Sequence, residues 1–299
     1  MKKITPWHYW ASLLLISCTQ LHAAIFTVTR TNISGPGSFP VVLNQANATP
    51  GDHVIEFAIP GTILLTTSLP PITNNITING RGTNETIISG GGSVSLLTFA
   101  SGTTCFVSRV TLTGAFRTGD GGAISNAGCL FLSDCSLFGN AAGKLGGAIY
   151  NQGNLTIKTV LLKQNSATNG GAIYNLGTLD IRDSAIETNN ATGGNGGAVD
   201  NSGTLSVFGT QIVGNTTRTN GFGGAVNNQS AATFTNCVVR GNTGGIGGGV
   251  YNRGTLSVNS TTIAANSAGI GGGICSTGFV NMASSIVYSN ATYYGLAAC

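Results

Sequence analysis

The sequence predicts an all-β protein, a parallel β-helix with about 25 residues in each coil. Three observations lead to this prediction: a Gly-Gly-small-aliphatic tetrapeptide occurs seven times, an Asn recurs at a fixed distance after it, and short stretches of alternating apolar and polar residues follow. Successive tetrapeptides begin 24 to 27 residues apart. A unit this short cannot bury its own apolar face, so it must stack on its neighbours. The tetrapeptides are Gly121–Ile124, Gly146–Ile149, Gly170–Ile173, Gly196–Val199, Gly223–Val226, Gly247–Val250 and Gly271–Ile274.

The recurring Asn stands two residues after the aliphatic residue of each tetrapeptide. Alternation such as Leu155-Thr156-Ile157 beyond it is typical of strands. Stacking places each column of equivalent residues about 4.8 Å above the last. We therefore expect an internal ladder of aliphatic side chains, and a ladder of carboxamides that hydrogen-bond along the stack. The column consists of Asn126, Asn151, Asn175, Asn201, Asn228 and Asn252, with Ser276 in the last copy.

A second column, aliphatic-x-x-Asn, closes each unit, from Leu137–Asn140 to Val287–Asn290. We expect two or three short strands in each coil, separated by Gly and Asn turns. The paired glycines are expected at tight corners, where they supply backbone angles forbidden to other residues and let adjacent coils approach. They do not form a phosphate-binding loop, because no Lys followed by Ser or Thr stands at the required spacing.

Residues 24–100 lack the tetrapeptide and are predicted to form an N-terminal cap with two or three irregular coils, ahead of the regular β-helix over 101–299. A cap keeps an open strand edge from pairing with other chains. A short helix is expected over Ser38–Ala48, with Pro40 in its first turn. The strand-like runs are Ile25–Val28, Val54–Phe57, Ile63–Leu65 and Ile76–Ile78.

Residues 1–23 have the pattern of an export signal: Lys2 and Lys3 precede an apolar run over Trp10–Ile16, and Leu21–Ala23 offers a cleavage site. The run is shorter than the ~20 residues that cross a bilayer, so no transmembrane span is expected. Leu15–Cys18 resembles a bacterial lipobox, which makes Cys18 a candidate lipid-attachment residue. The alternative is that Cys18 only closes the apolar run.

Composition excludes several classes of protein. With 41% hydrophobic residues and only 7% charged residues, the chain does not resemble a disordered one. The 46 glycines do not fall at every third place, which excludes collagen. A net charge of +4, spread over scattered basic residues, is too weak to indicate nucleic-acid binding.

The paired motifs over residues 121–290 resemble those of the chlamydial-type polymorphic outer membrane protein family. The resemblance implies a right-handed, single-stranded parallel β-helix, a pectate-lyase-like solenoid, of the kind found in autotransporter passengers and associated with surface adhesion. The second motif here begins with Leu, Ile or Val where the family usually has Phe, and we expect no C-terminal membrane barrel. Upstream, Gly35–Ser38, Gly51–Phe57 and Pro60–Ile63 resemble the cap region of large secreted bacterial β-helix proteins.

Polysaccharide lyases and glycosidases also use β-helices, so an enzyme is the main rival interpretation. Such chemistry needs convergent carboxylates or an acidic cation site with a base. Asp180 and Asp200 fall on successive coils but in different columns. Asp183 and Glu187 lie beside Arg182 and are interpreted as a solvated ion-pair cluster. We therefore predict no catalytic, cofactor-binding or metal-binding residue. The carboxylates after the signal are Asp52, Glu56, Glu85, Asp120, Asp134, Asp180, Asp183, Glu187 and Asp200.

Three other groups of residues invite a functional interpretation. His53 is the one histidine after the signal, and nothing else supports a catalytic triad around it. Tyr150, Tyr174 and Tyr251 share an outward column and either bind sugar rings or pack across strands, the second being favoured. Cys135 and Cys237 share a column four coils apart, about 19 Å, which is too far for a disulfide, so both are expected as small buried residues.

The sequence thus favours an exported, non-enzymatic, adhesin-like surface protein that binds cell-surface glycans or proteins. Two alternatives stay open: a polysaccharide-active enzyme, and a truncated, non-functional paralogue of a longer autotransporter. Residues 281–299 carry no charge. We therefore expect end-to-end self-association through this segment, by strand pairing or through a Cys299 disulfide.

Overall fold

The computed structural model describes residues 23–296, and side chains through residue 293. The chain is a parallel β-helix in which equivalent segments of successive coils pair in four parallel sheets. This confirms the fold predicted from the repeats. Residues 1–22 of the predicted signal, with Cys18, and also Cys299 lie outside the described residues.

Sheet 1 has eleven strands and sheet 2 has ten. The strands of sheet 1 are Ile25–Val28, His53–Phe57, Ile76–Asn79, Thr104–Ser108, Cys129–Ser133, Asn154–Lys158, Thr178–Arg182, Thr204–Phe208, Ala231–Thr235, Thr255–Asn259 and Phe279–Ala283. Those of sheet 2 are Gly61–Leu64, Thr86–Ser89, Thr111–Thr113, Ser136–Phe138, Leu161–Lys163, Ala185–Glu187, Gln211–Val213, Val238–Arg240, Thr262–Ala264 and Ile286–Tyr288.

Sheets 3 and 4 have eight strands each. The strands of sheet 3 are Phe116–Arg117, Ala141–Ala142, Ser166–Asn169, Asn190–Asn195, Thr216–Thr217, Thr243–Ile246, Ser267–Ile270 and Ala291–Leu296. Those of sheet 4 are Leu97–Phe99, Ile124–Asn126, Ile149–Asn151, Ile173–Asn175, Val199–Asn201, Val226–Asn228, Val250–Asn252 and Ile274–Ser276. A regular coil therefore has four strands, where two or three were expected. The additional strand is that of sheet 3, because the short segment after the second Asn column also pairs with its equivalents.

The aliphatic column of the tetrapeptides forms the predicted internal ladder. Ile124 pairs in register with Ile149, and Ile149 with Ile173. All three side chains are fully buried. The ladder begins one coil earlier than the tetrapeptides, because Leu97 is the register partner of Ile124. Like residues thus stack on like along the interior, which removes their apolar surface from water.

The Asn column of sheet 4 forms the predicted carboxamide ladder. The Nδ2 of Asn151 donates to Oδ1 of Asn175 over 2.7 Å, and Nδ2 of Asn175 donates to Oδ1 of Asn201 over 2.8 Å. Asn252 ends the ladder by donating to Oγ of Ser276 over 3.0 Å. The buried amides are thereby satisfied by their neighbours in adjacent coils.

The second Asn column forms another ladder, which the repeat pattern did not predict. The backbone N–H and the Nδ2 of Asn165 both donate to Oδ1 of Asn189, each over 2.9 Å. The Nδ2 of Asn189 donates back to the Leu162 carbonyl and forward to Oδ1 of Asn215. Each carboxamide in this column therefore ties its own coil to the coils on both sides.

Three left-handed corners occur in each regular coil. At the glycine corner, between sheets 3 and 4, the first glycine of every tetrapeptide has a φ of 60° to 73°. At the open corner, between sheets 2 and 3, the residue before the second Asn adopts a similar φ. This position is a glycine in some coils and a non-glycine residue, such as Gln164 or Thr188, in others. A third left-handed corner, between sheets 1 and 2, also accepts non-glycine residues, among them Asp134 and Asp183.

Close backbone contact distinguishes the glycine corner. A Cβ added at Gly146 would lie 2.0 Å from the Ile149 carbonyl oxygen, and one at Gly147 would lie 2.2 Å from that of Gly171 in the next coil. At Gly139, in the open corner, an added Cβ would meet no atom within 4 Å. This confirms the close approach of coils that the glycine pairs predict.

The two ends of the β-helix differ. Helix Phe39–Ala48 follows the N-cap residue Ser38, has Pro40 in its first turn as predicted, and buries Phe39 and Leu43 against the first strands. At the other end, Val287 is 46% exposed, whereas Ile263, which occupies the same column one coil earlier, is 1% exposed. The predicted self-association through residues 281–299 stays a prediction.

Candidate functional site: the glycine groove

Two outward columns flank the glycine corners, and we call the surface between them the glycine groove. Because glycines have no side chains, backbone forms the floor of the groove between the two side-chain walls. The first wall, one residue before each glycine pair, consists of Asp120, Leu145, Asn169, Asn195, Phe222, Ile246 and Ile270. The second wall consists of Ser125, Tyr150, Tyr174, Asp200, Asn227, Tyr251 and Cys275, in register along sheet 4.

The two walls meet with an offset of one coil. The ring of Phe222 lies against that of Tyr251 in the next coil, with centroids 4.5 Å apart. In the same relation, Asp120 lies near Tyr150. Burial raises the pKa of the Tyr150 hydroxyl, and the negative charge of Asp120 raises it further. The first wall was not predicted from the sequence, because its residue types vary and only their place before the glycine pair is constant.

The tyrosines of the second wall are in two different settings. Tyr150 and Tyr174 stack on each other, with ring centroids 6.0 Å apart and an angle of 27° between the planes. Tyr251 is separated from them by two coils and is covered by Phe222. Cross-strand packing within the column, the favoured interpretation, therefore holds for Tyr150 and Tyr174 and not for Tyr251. Both rings of this pair keep part of their surface exposed.

Asp200 interrupts the tyrosine column as a buried carboxylate, only 1% exposed. Burial raises its pKa to about 6. The Nδ2 of Asn227 donates a hydrogen bond of 2.7 Å to Oδ1 of Asp200, and this bond opposes the rise because it stabilises the charged form. A second donor, Nε2 of Gln229, lies 3.4 Å away. The carboxyl group is thus held by amide donors on the outer side of sheet 4, without a cationic partner.

Asp120 is half-buried at the N-terminal end of the groove. Its Oδ1 atom is enclosed and has no hydrogen-bond partner. Nearby, Nη1 of Arg117 donates to the backbone carbonyl of Asp120 over 3.4 Å and not to its carboxylate. A carboxylate that lacks its full set of donors is costly to bury.

The charged residues singled out on the other faces form ordinary ion pairs. Arg182 pairs with Asp180 over 2.8 Å, and Lys163 pairs with Glu187 over 3.6 Å. The predicted cluster of Asp183, Glu187 and Arg182 does not form: Arg182 and Glu187 belong to two separate pairs, and Asp183 acts on Arg182 only through its charge. The reason is that Asp180 and Arg182 share the outward face of one strand, whereas Asp183 occupies a left-handed turn.

Asp180 and Asp200 do not converge. Asp180 lies on sheet 1 and Asp200 on sheet 4, as their different columns predict. Their positions give no pair of carboxylates facing one bond, which glycoside hydrolysis requires. Among residues 23–296, no group of three or more His, Cys, Asp or Glu side chains is placed to hold a metal ion.

His53 is a buried structural residue of the first coils. Its Nδ1 accepts a hydrogen bond from the backbone N–H of Ala24, and its Nε2 lies 2.8 Å from the Thr49 carbonyl oxygen. This requires the proton on Nε2. The ring also contacts Phe26 edge-on, with centroids 5.3 Å apart.

The cysteines of the described residues are mostly free thiols. Cys105, Cys129, Cys135 and Cys237 are free, while Cys275 is disulfide-bonded. Cys135 and Cys237 are buried as predicted, and each Sγ donates to a backbone carbonyl two residues earlier. Burial raises the pKa of the Cys135 thiol to about 11, which keeps it protonated and unreactive at neutral pH.

Comparison with known proteins gives a fold and no family. No protein-family model matches the chain, and no curated protein sequence matches it. Among solved structures, pectate lyase Pel9A is similar, with a TM-score of 0.57 and 14% sequence identity over 91% of this chain and 81% of the lyase. At this identity the likeness concerns the β-helix alone. Within the described part of the chain, no helix is long and apolar enough to span a membrane.

Proposed function

We propose that the chain is an exported, surface-associated and non-enzymatic β-helix protein whose outward faces form an adhesin-like binding surface. The observation that carries the proposal is the presence of aromatic pairs on these faces. Phe106 and Phe131 stack on sheet 1 with centroids 4.7 Å apart, and Phe106 is 45% exposed. Tyr150 and Tyr174 form the second pair. Exposed aromatic rings on a rigid sheet supply contact area at little entropic cost.

The state of three carboxylates, Asp180, Glu187 and Asp200, supports binding over catalysis. Asp180 and Glu187 are each engaged by a basic neighbour, and Asp200 is enclosed under amide donors. A general acid or base needs a carboxyl group within reach of a substrate proton. None of these three groups has that freedom.

Export is proposed from the pattern of residues 1–23, and surface association from the resemblance of the paired motifs. Fusing residues 1–23 to a reporter enzyme in a Gram-negative host should deliver the reporter beyond the inner membrane. Incorporation of labelled palmitate that is lost in Cys18→Ser would establish a lipid anchor. Cytosolic retention of the reporter would contradict export.

Adhesion is tested with beads coated with the purified chain, applied to cultured cells and to immobilised glycans. We expect retention on at least one surface, reduced by Phe106→Ser. Phe138→Ser is the matched control, because Phe138 is similarly exposed, at 43%, but belongs to neither aromatic pair. Retention on no surface would favour the truncated-paralogue interpretation.

The enzyme interpretation is tested on the same preparation with acidic and neutral polysaccharides. Polygalacturonate belongs in the panel because of the structural likeness to a pectate lyase. We expect neither new reducing ends nor unsaturated products. Turnover that Asp180→Asn or Asp200→Asn abolishes would overturn the proposal.

A further inference from the structure

The N-terminal end of the glycine groove contains a gap in the stack of the second wall. Tyr150 and Tyr174 cover one ring face of each other. The other face of Tyr150 is directed along the column toward Ser125, its register partner in the preceding coil. A serine side chain is too short to cover an aromatic ring, so this face of Tyr150 lacks a stacking partner from its own column.

A depression lies one coil before this gap, toward the N-terminus. It has a volume of about 400 Å³, and its lining includes Thr98, Arg117 and Thr118. Thr98 is the register partner of Ser125, so the depression continues the groove by one coil. Arg117 and Thr118 closely precede Asp120 of the first wall. The volume lies in the range of small-molecule sites, ~300–1,000 Å³.

The groups around the gap combine three kinds of contact. Tyr150 offers an apolar ring face, Asp120 a half-buried carboxylate, and Arg117 an exposed guanidinium. Thr98 and Ser125 add two hydroxyl side chains in the same column of sheet 4 as Tyr150. A ligand that fits this set has one flat C–H face and a rim of groups that both donate and accept hydrogen bonds.

We propose that this end of the groove is a subsite for a neutral sugar ring of a glycan, stacked on Tyr150 and hydrogen-bonded to Asp120 and Arg117. The two opposite charges specify neutrality, because Asp120 disfavours a uronate and Arg117 an amino sugar. The inference rests on the proposed binding function and names its ligand class.

The test measures binding of linear tetramers of glucose, galactose, mannose and N-acetylglucosamine to the whole chain by titration calorimetry and saturation-transfer NMR. A tetramer of galacturonic acid is the charged comparison. We expect at least one neutral tetramer to bind more tightly than the acidic one. Tyr150→Leu and Asp120→Ala should each weaken that binding at least fivefold.

Tyr251→Leu is the matched control, since this tyrosine belongs to the same column but is covered by Phe222. Its binding should equal that of the unmodified chain. Ser125→Leu is a second test of the subsite, because it leaves Tyr150 in place and fills the gap beside its ring. This variant should bind no tetramer, and its circular dichroism spectrum should be unchanged.

Three results would overturn the inference: no neutral tetramer binds, Tyr251→Leu weakens binding as much as Tyr150→Leu, or the galacturonate tetramer binds best. The bead assay separates this failure from that of the proposed function. Beads that adhere to cells while no neutral tetramer binds would leave the adhesin-like function standing and remove the sugar subsite.

Discussion

The glycine corner and the open corner have the same backbone conformation but are stabilised in opposite ways. Gly146 and Gly139 have φ values of 66° and 63°. At the glycine corner, backbone lies so close to backbone that a single Cβ does not fit. At the open corner there is space for side chains, and the carboxamide ladder of the second Asn column connects the coils. A positive φ alone therefore does not dictate glycine in this protein, whereas the packing distance does.

The largest expected effect follows from adding one methyl group at each corner. Gly146→Ala places a Cβ 2.0 Å from the Ile149 carbonyl oxygen, so the corner must deform. We expect a loss of about 4 kcal/mol in the free energy of unfolding, at the upper end for single substitutions. Guanidinium titrations followed by circular dichroism measure the loss.

Gly139→Ala is the matched control, since an added Cβ there meets no atom within 4 Å at almost the same φ. The left-handed conformation costs Ala ~1–2 kcal/mol. Ala also lowers the conformational entropy of the unfolded chain, which offsets ~0.4–1 kcal/mol of this cost. Similar losses at Gly146 and Gly139 would show that conformation, and not packing, requires the glycines.

The second prediction removes one carboxamide of the second Asn column, which connects the open corners of successive coils. In Asn189→Leu, the backbone N–H and the Nδ2 of Asn165 lose their shared acceptor, and Oδ1 of Asn215 loses a donor. With ~1–3 kcal/mol for each buried group left unpaired, we expect a total loss of about 3 kcal/mol. Thermal and guanidinium unfolding of purified variants provide the measurement.

Asn154→Leu is the control for this change, because Asn154 begins a strand of sheet 1 with an exposed side chain. Its effect should stay within ~0.5 kcal/mol. An equally small effect of Asn189→Leu would mean that the second ladder adds nothing to stability.

The sequence predicts the parts of the fold that repeat. The tetrapeptide spacing predicts the solenoid, and the Asn126 column predicts its ladder, because both are periodic over seven coils. The second ladder was missed although Asn140 and its equivalents are just as periodic. The residue before each of these Asn residues adopts a left-handed conformation, and this orients the carboxamide inward. Strand alternation gives no indication of such a turn.

The candidate site was only partly predictable. The column of Tyr150 and Tyr174 follows directly from the repeat, but its contact with the wall of Asp120 depends on how sharply the glycine corner turns. The burial of Asp200 likewise depends on neighbours such as Asn227 in the next coil. Single-residue features in a repeat acquire their environment from adjacent coils, which residue types alone do not specify.

The next largest effect concerns Asp200, which lies beside the glycine corner in the groove. Its pKa in the folded chain is raised by burial from 3.8 to about 6. The folded state therefore binds the proton more tightly than the unfolded state does. The contribution to stability is fully present below about pH 4 and is lost as the pH rises through about 6, amounting to roughly 3 kcal/mol.

Asp200→Asn removes this titration and keeps an oxygen that accepts from Nδ2 of Asn227. We expect the variant to be more stable than the unmodified chain at pH 7.5, with the difference absent or reversed at pH 4. Unfolding midpoints recorded at half-unit steps of pH provide the comparison. A constant difference across this range would show that Asp200 is well hydrated in the groove.

The smallest effect compares two rungs of the sheet 4 ladder. Asn175 accepts from Asn151 and donates to Asn201, so Asn175→Leu removes a rung between two carboxamides. Asn252 accepts from Asn228 but donates to the Ser276 hydroxyl, which is near the solvent-exposed end of the stack and can exchange its partner for water. Asn175→Leu should therefore lower the free energy of unfolding by about 1 kcal/mol more than Asn252→Leu does. Each buried group left unpaired costs ~1–3 kcal/mol, whereas an exposed group recovers a hydrogen bond from water. Equal shifts of the denaturation midpoint in the two variants would mean that each rung acts alone, and that the ladder gains nothing from its continuity through the middle coils.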